Sequence, residues 1–185
     1  MPIAGAIGSI LKRSHSTLAL LIDKSIEDVR RKVLIQRKTF ALSSFIEEAA
    51  IAARLNTNLR GCNLEVSHVD PLLKINANRE LLHAALVNLL QNAFKFTHEK
   101  TTVALKVNTF EKFVFIDVAD HCGGLLPDNL VNMFTPFKQQ DKNRSGLGLG
   151  LTIARQSVEA DSGTLTVCNV SGTGCVFTIK LPLVT

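Results

Sequence analysis

Along the first part of the chain, apolar residues recur at Ile7, Ile10, Leu11, Leu18, Leu21, Ile22, Ile26, Val29 and Val33. Steps of three and four residues put them on one stripe, so the spacing predicts a single long amphipathic helix. Its other face carries Lys12, Arg13, Lys24, Glu27, Asp28, Arg30 and Arg31. A helix with one apolar stripe needs something to pack against, which makes this segment an arm that dimerises or docks.

Beyond Phe40 the pattern shifts to shorter elements. Ile46, Ala49, Ala50 and Ala53 mark a helix that Ser43 or Ser44 can cap and that ends before Gly61. Asp70-Pro71 breaks the chain ahead of a strand over Leu72 to Asn76. Asn78 then caps a strong helix from Glu80 to Phe96. Thr101 to Asn108 and Lys112 to Val118 alternate or run apolar with β-branched residues, and Thr109-Phe110-Glu111 suits a hairpin turn between them. The Gly/Pro-rich stretch from His121 to Pro136 holds a short helix, and the polar segment Lys138 to Ser145 leads into Gly146. Leu149 to Glu159 reads as a helix, and strands at Thr164 to Cys168 and Cys175 to Leu181 flank the turn Ser171-Gly172-Thr173-Gly174. Helices mixed with strands, ending in antiparallel hairpins, predict an α+β fold: a two-layer α/β sandwich, a mixed sheet with helices on one face.

The 185 residues suffice for one medium domain with an appendage, and 46% apolar residues exclude a disordered tail. No apolar run approaches the roughly 18–20 residues of a membrane span. The densest, Leu18 to Ile22, stops at Asp23, and no signal peptide is expected from the first residues. Twenty-one basic against 16 acidic residues leave a net charge of +5, which permits an acidic partner without identifying one. All aromatic residues are Phe, with no Tyr or Trp, a thin supply for stacking on nucleic acid, and no such partner is expected. Cys62, Cys122, Cys168 and Cys175 form no C-x-x-C pair. They read as four buried thiols in a reducing, cytoplasmic setting, with neither a zinc site nor a disulfide framework indicated.

Three places can carry chemistry. Asn88, Asn92 and Lys95 are four and three residues apart, hence on one helix face, with Leu86, Leu89, Leu90 and Ala93 on the core side. Two amides and an ammonium can hold a magnesium ion and the phosphates it bridges, or form an ordinary solvated face. Asp120 follows an apolar strand and precedes Gly123-Gly124. It can accept a hydrogen bond from the exocyclic amine of a flat ligand, or serve only as a turn aspartate. Gly146-Leu147-Gly148-Leu149-Gly150-Leu151 frees backbone N–H groups toward an anion at a helix N-terminus, or acts as a hinge. No Lys follows as in G-x-x-x-x-G-K-[ST], and Leu151 stands where a dinucleotide fingerprint has its third glycine. Lys138, Lys142 and Arg144 upstream supply mobile positive charge to a terminal phosphate or keep a loop soluble.

Together these pieces resemble sensor histidine kinases. Asn88 to Thr97 (NLLQNAFKFT) is similar to their N box, Asp120-His121-Cys122-Gly123-Gly124-Leu125 to their first glycine box, Phe134-Thr135-Pro136-Phe137 to their F box, and Gly146 to Leu151 to their second glycine box. Gly172 to Phe177 resembles the closing strand motif, and order and spacing agree from about Phe40 to Pro182. The resemblance implies a Bergerat-type ATP-binding sandwich over 38–185, with a lid, Phe137 to Ser145, that closes on the nucleotide. It implies that Asn92 binds Mg2+, that Asn88 and Lys95 lie near the phosphates, and that Phe96 lies against adenine. Asp120 takes the adenine amine, Gly124 and Leu125 line the base, and Gly146, Leu147, Gly148 and Leu149 wrap the phosphates. Phe137, Lys142 and Arg144 come from the lid, with Asn88, Lys95 and Arg144 acting in catalysis. Two departures stand out: Cys122 where the first glycine box usually has Gly, and Gln139 where many relatives carry Arg.

No histidine here fits the family's acceptor pattern His-Glu/Asp-x-Arg/Lys-x-Pro; His15, for one, is followed by Ser16-Thr17. The arm, residues 1–37, resembles the second helix of the dimerising hairpin whose first helix carries that histidine. The chain thus reads as the C-terminal part of a larger kinase, homodimeric when whole, and membrane-anchored or not. The implied partners are ATP, a phosphoacceptor hairpin from the same or the partner subunit, and a response regulator receiver domain. A non-catalytic nucleotide-binding module is the alternative. Less favoured is a slow ATP-hydrolysing clamp, because Asn88 stands where the related gyrase and mismatch-repair proteins have a water-activating Glu.

Overall fold

The computed structural model describes residues 36–55, 61–125, 133–135 and 149–184. The arm from Ile7 to Val33, the short helix ahead of Pro136 and the lid from Phe137 to Ser145 lie outside them. The elements run β1 (Lys38–Ala41), α1 (Leu42–Arg54), β2 (Asn63–Val66), β3 (Lys74–Ala77), α2 (Arg79–Phe96), β4 (Thr102–Phe110) and β5 (Phe113–Ala119). They continue with α3 (Gly150–Ala160), β6 (Thr164–Val170) and β7 (Gly174–Pro182).

Five strands form one mixed sheet in the order β2-β4-β5-β7-β6. Only β2 runs parallel to its neighbour; the other pairings are antiparallel. Register sets the two faces. Val118 stands opposite both Leu105 and Phe177, and Ile116 opposite Ile179, so alternate residues make one continuous apolar face. All five of these side chains are buried. Helix α1 covers β2, α2 covers β4 and β5, and α3 covers β6 while packing on α2. The opposite face is half-exposed and mixes polar with aromatic residues: Thr178 Oγ1 donates to Asp117 at 2.7 Å, and Lys180 Nζ lies 4.0 Å from the Phe113 ring centre. The expected two-layer sandwich is therefore present. No helix among the described residues is long and apolar enough to cross a membrane.

Local chemistry explains most of the boundaries. Asn78 Oδ1 accepts the Leu81 N–H at 3.1 Å, which starts α2 as the sequence predicts; such a cap contributes about 1 kcal/mol. The β4–β5 hairpin is tighter than expected. Phe110 pairs with Phe113, leaving Glu111 and Lys112 as the turn, with Glu111 at φ +54°. Neither Ser43 nor Ser44 caps α1, contrary to expectation. Strand β1 runs directly into the helix, Ser44 Oγ donates back to Ala41 O, and the Leu42 N–H is satisfied by Leu73 O at 2.9 Å. The third strand starts at Lys74 rather than Leu72, because only Lys74 to Ala77 find partners, antiparallel on β1. Strands β1 and β2, four residues each, were not expected.

Candidate functional site

Asp120 directly follows β5 and is 5% exposed. Its N–H donates to Cys175 O at 3.0 Å, while its Oδ1 accepts the Cys175 N–H at 3.0 Å and the Cys122 N–H at 3.1 Å. The side chain thus bridges the start of β7 to the glycine turn, which is more than a solvent-facing turn aspartate does. Both donors converge on Oδ1, so among the described residues no backbone N–H occupies Oδ2. The approach is close enough that a Cβ on Gly174 would collide with the Asp120 carbonyl oxygen.

The turn that follows needs glycine at two positions. Gly123 and Gly124 hold φ of +82° and +94°, where an L side chain is strained, whereas Cys122 keeps a negative φ. The substitution of Cys122 for the usual glycine is therefore accommodated without backbone strain. Gly124 rests against Asn169, whose Oδ1 accepts the Leu125 N–H and whose Nδ2 donates to the Leu125 carbonyl. Sequence reasoning missed Asn169. Its signal was there: Leu165, Val167 and Asn169 share the inward face of β6, and an amide ending an apolar alternation has a partner to meet.

On α2, Asn88, Asn92 and Lys95 are half-buried on one face, and Leu86, Leu89, Leu90 and Ala93 are buried as predicted. Lys95 Nζ lies 4.9 Å from the ring centre of the exposed Phe96. The end of the helix is tied to the Asp120 loop: Thr97 Oγ1 accepts the His121 N–H at 3.0 Å, and His98 N–H donates to His121 O at 3.1 Å. The amide stripe and Asp120 are thereby held in one frame. Asn88 also meets α3, since a Cβ on Gly150 would lie 2.7 Å from its amide atoms. Leu149, half-buried, is the residue just before α3, and Thr152 Oγ1 donates to Phe134 O at 3.0 Å. Phe137, Lys142, Arg144, Gly146, Leu147 and Gly148 lie outside the described residues.

The cysteines correct one expectation. Cys62 and Cys175 are buried, but Cys122 is half-buried and Cys168 exposed, because β6 alternation turns residue 168 away from the helices. Cys122 and Cys175, 53 residues apart, meet with Sγ atoms 3.7 Å apart. Burial, then the neighbouring Cys122, pushes the Cys175 thiol up to about 12. Burial, then Asp120, raises Cys122. In the free chain both are neutral thiols at neutral pH.

The chemistry on offer is a desolvated carboxylate beside a glycine turn, next to a helix face with two amides and a cation. Residues 77–185 match the family of histidine kinase-, DNA gyrase B-, and HSP90-like ATPases. The chain is 26% identical to the sensor histidine kinase ZraS of Salmonella typhimurium over 96% of its own length and 38% of that protein's. It is 29% identical to the sensor protein KdpD of Clostridium acetobutylicum over 74% of its own length and 16% of that protein's. The chain therefore spans well under half of these relatives. Among solved structures, full-length ShkA in complex with AMPPNP is 28% identical with a TM-score of 0.71, covering 80% of this chain and 31% of that one. The mycobacterial sensor histidine kinase MprB has the same fold, with a TM-score of 0.70 at 22% identity, covering 80% of this chain and 97% of that one. With the family match running from the start of α2 through β7, the chain belongs to the histidine kinase-, DNA gyrase B- and HSP90-like ATPase family, its domain being of the histidine kinase type.

Proposed function

We propose that this domain binds ATP with Mg2+ and transfers the γ-phosphoryl group to a histidine on a hairpin of the same or the partner subunit of a homodimeric kinase. A response regulator receiver domain then takes the group on, at the cytoplasmic side. In this reading residues 1–37 are the arm that belongs to that hairpin and residues 38–185 the catalytic domain.

The observation that carries the reading is the wiring of Asp120. Two backbone N–H groups fix its Oδ1, which leaves Oδ2 to accept the exocyclic amine of adenine. Gly124 and Leu125, clamped by Asn169, line the base, and Phe96 covers it. The donor set also fits the ion: Asn92 offers the hard amide oxygen that Mg2+ takes beside phosphate, and Lys95 brings a positive charge to the same face. Bound Mg2+ supplies charge neutralisation on the phosphates. The protein's own part is positioning, with Asn88, Lys95 and the lid cations Lys142 and Arg144 set against charge that develops in transfer, and the amides of Gly146, Leu147, Gly148 and Leu149 around the phosphates. Asn88 cannot take a proton at neutral pH, which favours transfer over water attack.

Calorimetric titration with ATP, with and without Mg2+, tests the site in wild type and Asp120→Asn. The variant keeps Oδ1 and turns Oδ2 into a donor. ATP binding in wild type that is lost in the variant is expected; equal affinity in both would overturn the assignment. Acid-labile phosphate on a separately made acceptor hairpin then distinguishes a kinase from a purely regulatory module.

A further inference from the structure

Asp120, Cys122 and Cys175 bring one carboxylate oxygen and two sulfurs within 4.8 Å of one another. Two thiolates held at about 2.3 Å from one tetrahedral ion stand about 3.8 Å apart. The observed Sγ–Sγ separation is 3.7 Å, far from the roughly 2.05 Å of a disulfide and close to the spacing of two ligands of one ion. Two of the three residues are rigidly set, since the Asp120 N–H donates to the Cys175 carbonyl and the Cys175 N–H donates to Asp120 Oδ1, both at 3.0 Å. The third sits on the glycine turn, where it can adjust, and is half-exposed, which gives an ion its way in. Asp120 Oδ1 is already engaged by two backbone N–H groups, an outer set of bonds that would hold the carboxylate for a metal at Oδ2.

We propose that Asp120, Cys122 and Cys175 form a site for a single thiophilic divalent cation of the zinc and cadmium class, and that its occupation excludes nucleotide. Three protein ligands leave the fourth position to water. Soft sulfur ligands select such ions against Mg2+ and Ca2+. As the two metal–sulfur bonds form, the two thiol protons leave to solvent. The site rests on its own three side chains; the exclusion of nucleotide rests on the reading of Asp120 given above, because one carboxylate oxygen cannot serve both.

The test is a Cd2+ titration of the reduced, metal-free chain in excess Mg2+, followed through the ultraviolet thiolate-to-cadmium charge-transfer band. A band that saturates at one equivalent is expected. It should be absent in Cys122→Ser, a half-exposed position whose fold circular dichroism verifies, and unchanged in Cys168→Ser. Asp120→Asn should weaken Cd2+ about 10-fold or more. No saturable band in the folded wild type, or a band that survives Cys122→Ser, would overturn the site. ATP affinity is measured first on the metal-free chain: failure there defeats the nucleotide reading, and the cadmium band still decides the metal site. A cadmium-loaded chain that binds ATP as tightly as the metal-free chain would overturn the exclusion.

Discussion

Both carboxylate oxygens of Asp161 lie 3.0 Å from the backbone nitrogen of Asn78, 83 residues earlier in the chain. Asp161 closes α3 and Asn78 opens α2, so one fully buried side chain pins the end of one helix to the start of the other. Burial raises the Asp161 carboxyl above its ordinary 3.8, while the Asn78 N–H and the Arg37 guanidinium, 3.4 Å away, pull it down. The folded chain then holds this proton more tightly than the unfolded chain. Its contribution is fully present below 3.8 and is lost as pH rises through the raised folded value. Urea midpoints across that window should show wild type losing stability relative to Asp161→Asn as pH rises; a difference growing in favour of wild type would contradict burial as the dominant cause. Asp161→Ala, which orphans the Asn78 N–H, should cost about 1–3 kcal/mol at neutral pH.

Asn169→Ala removes two hydrogen bonds from the Leu125 backbone, at 2.9 and 3.2 Å. At about 1 kcal/mol each, the turn should loosen enough to lower ATP affinity about 10-fold. Asn169→Asp keeps the acceptor and loses the donor, so calorimetry should place it between wild type and alanine.

Two glycines of one hairpin should respond differently to alanine. At Gly172 a Cβ meets nothing within 4 Å, and φ of +73° alone costs about 1–2 kcal/mol. At Gly174 the Cβ strikes the Asp120 carbonyl, backbone that cannot give without breaking the β5–β7 bridge, and meets the Asp120 carboxylate as well. Gly174→Ala should cost at least about 3 kcal/mol and abolish ATP binding, whereas Gly172→Ala should bind normally. Equal Tm losses in the two variants would contradict this account.

Asn92→Ala should keep the metal-free affinity for ATP and lose the increment that Mg2+ adds. The two titrations, with Mg2+ and with a chelator, should converge in the variant and differ in wild type.

Much of this was legible in the chain. Helix α2 carries its own start signal in Asn78 and its own periodicity, and the β4–β5 and β6–β7 hairpins carry alternation around a turn. Those are local signals, and local signals survive in a sequence. Strands β1 and β2 have four residues each and gain their identity from partners far along the chain: β1 from Lys74 to Ala77, β2 from Thr102 to Leu105. Ser43 and Ser44 looked like caps because capping was judged without the strand that runs into Leu42. At the site, Asp120 and the amide stripe announced themselves by residue type and spacing. Asn169 and the meeting of Cys122 with Cys175 did not, since the first depends on the β6–β7 register and the second on the β5–β7 register rather than on neighbours in sequence.

Gly150 stands where Asn88 leaves 2.7 Å for anything beyond a hydrogen. The two positions therefore share one history. A lineage that acquires a side chain at 150 must swing the residue 88 amide aside or shorten that residue, so a change at one position is felt at the other. Because α3 begins at that glycine, the start of one helix and the amide face of another evolve as a pair rather than as two independent positions.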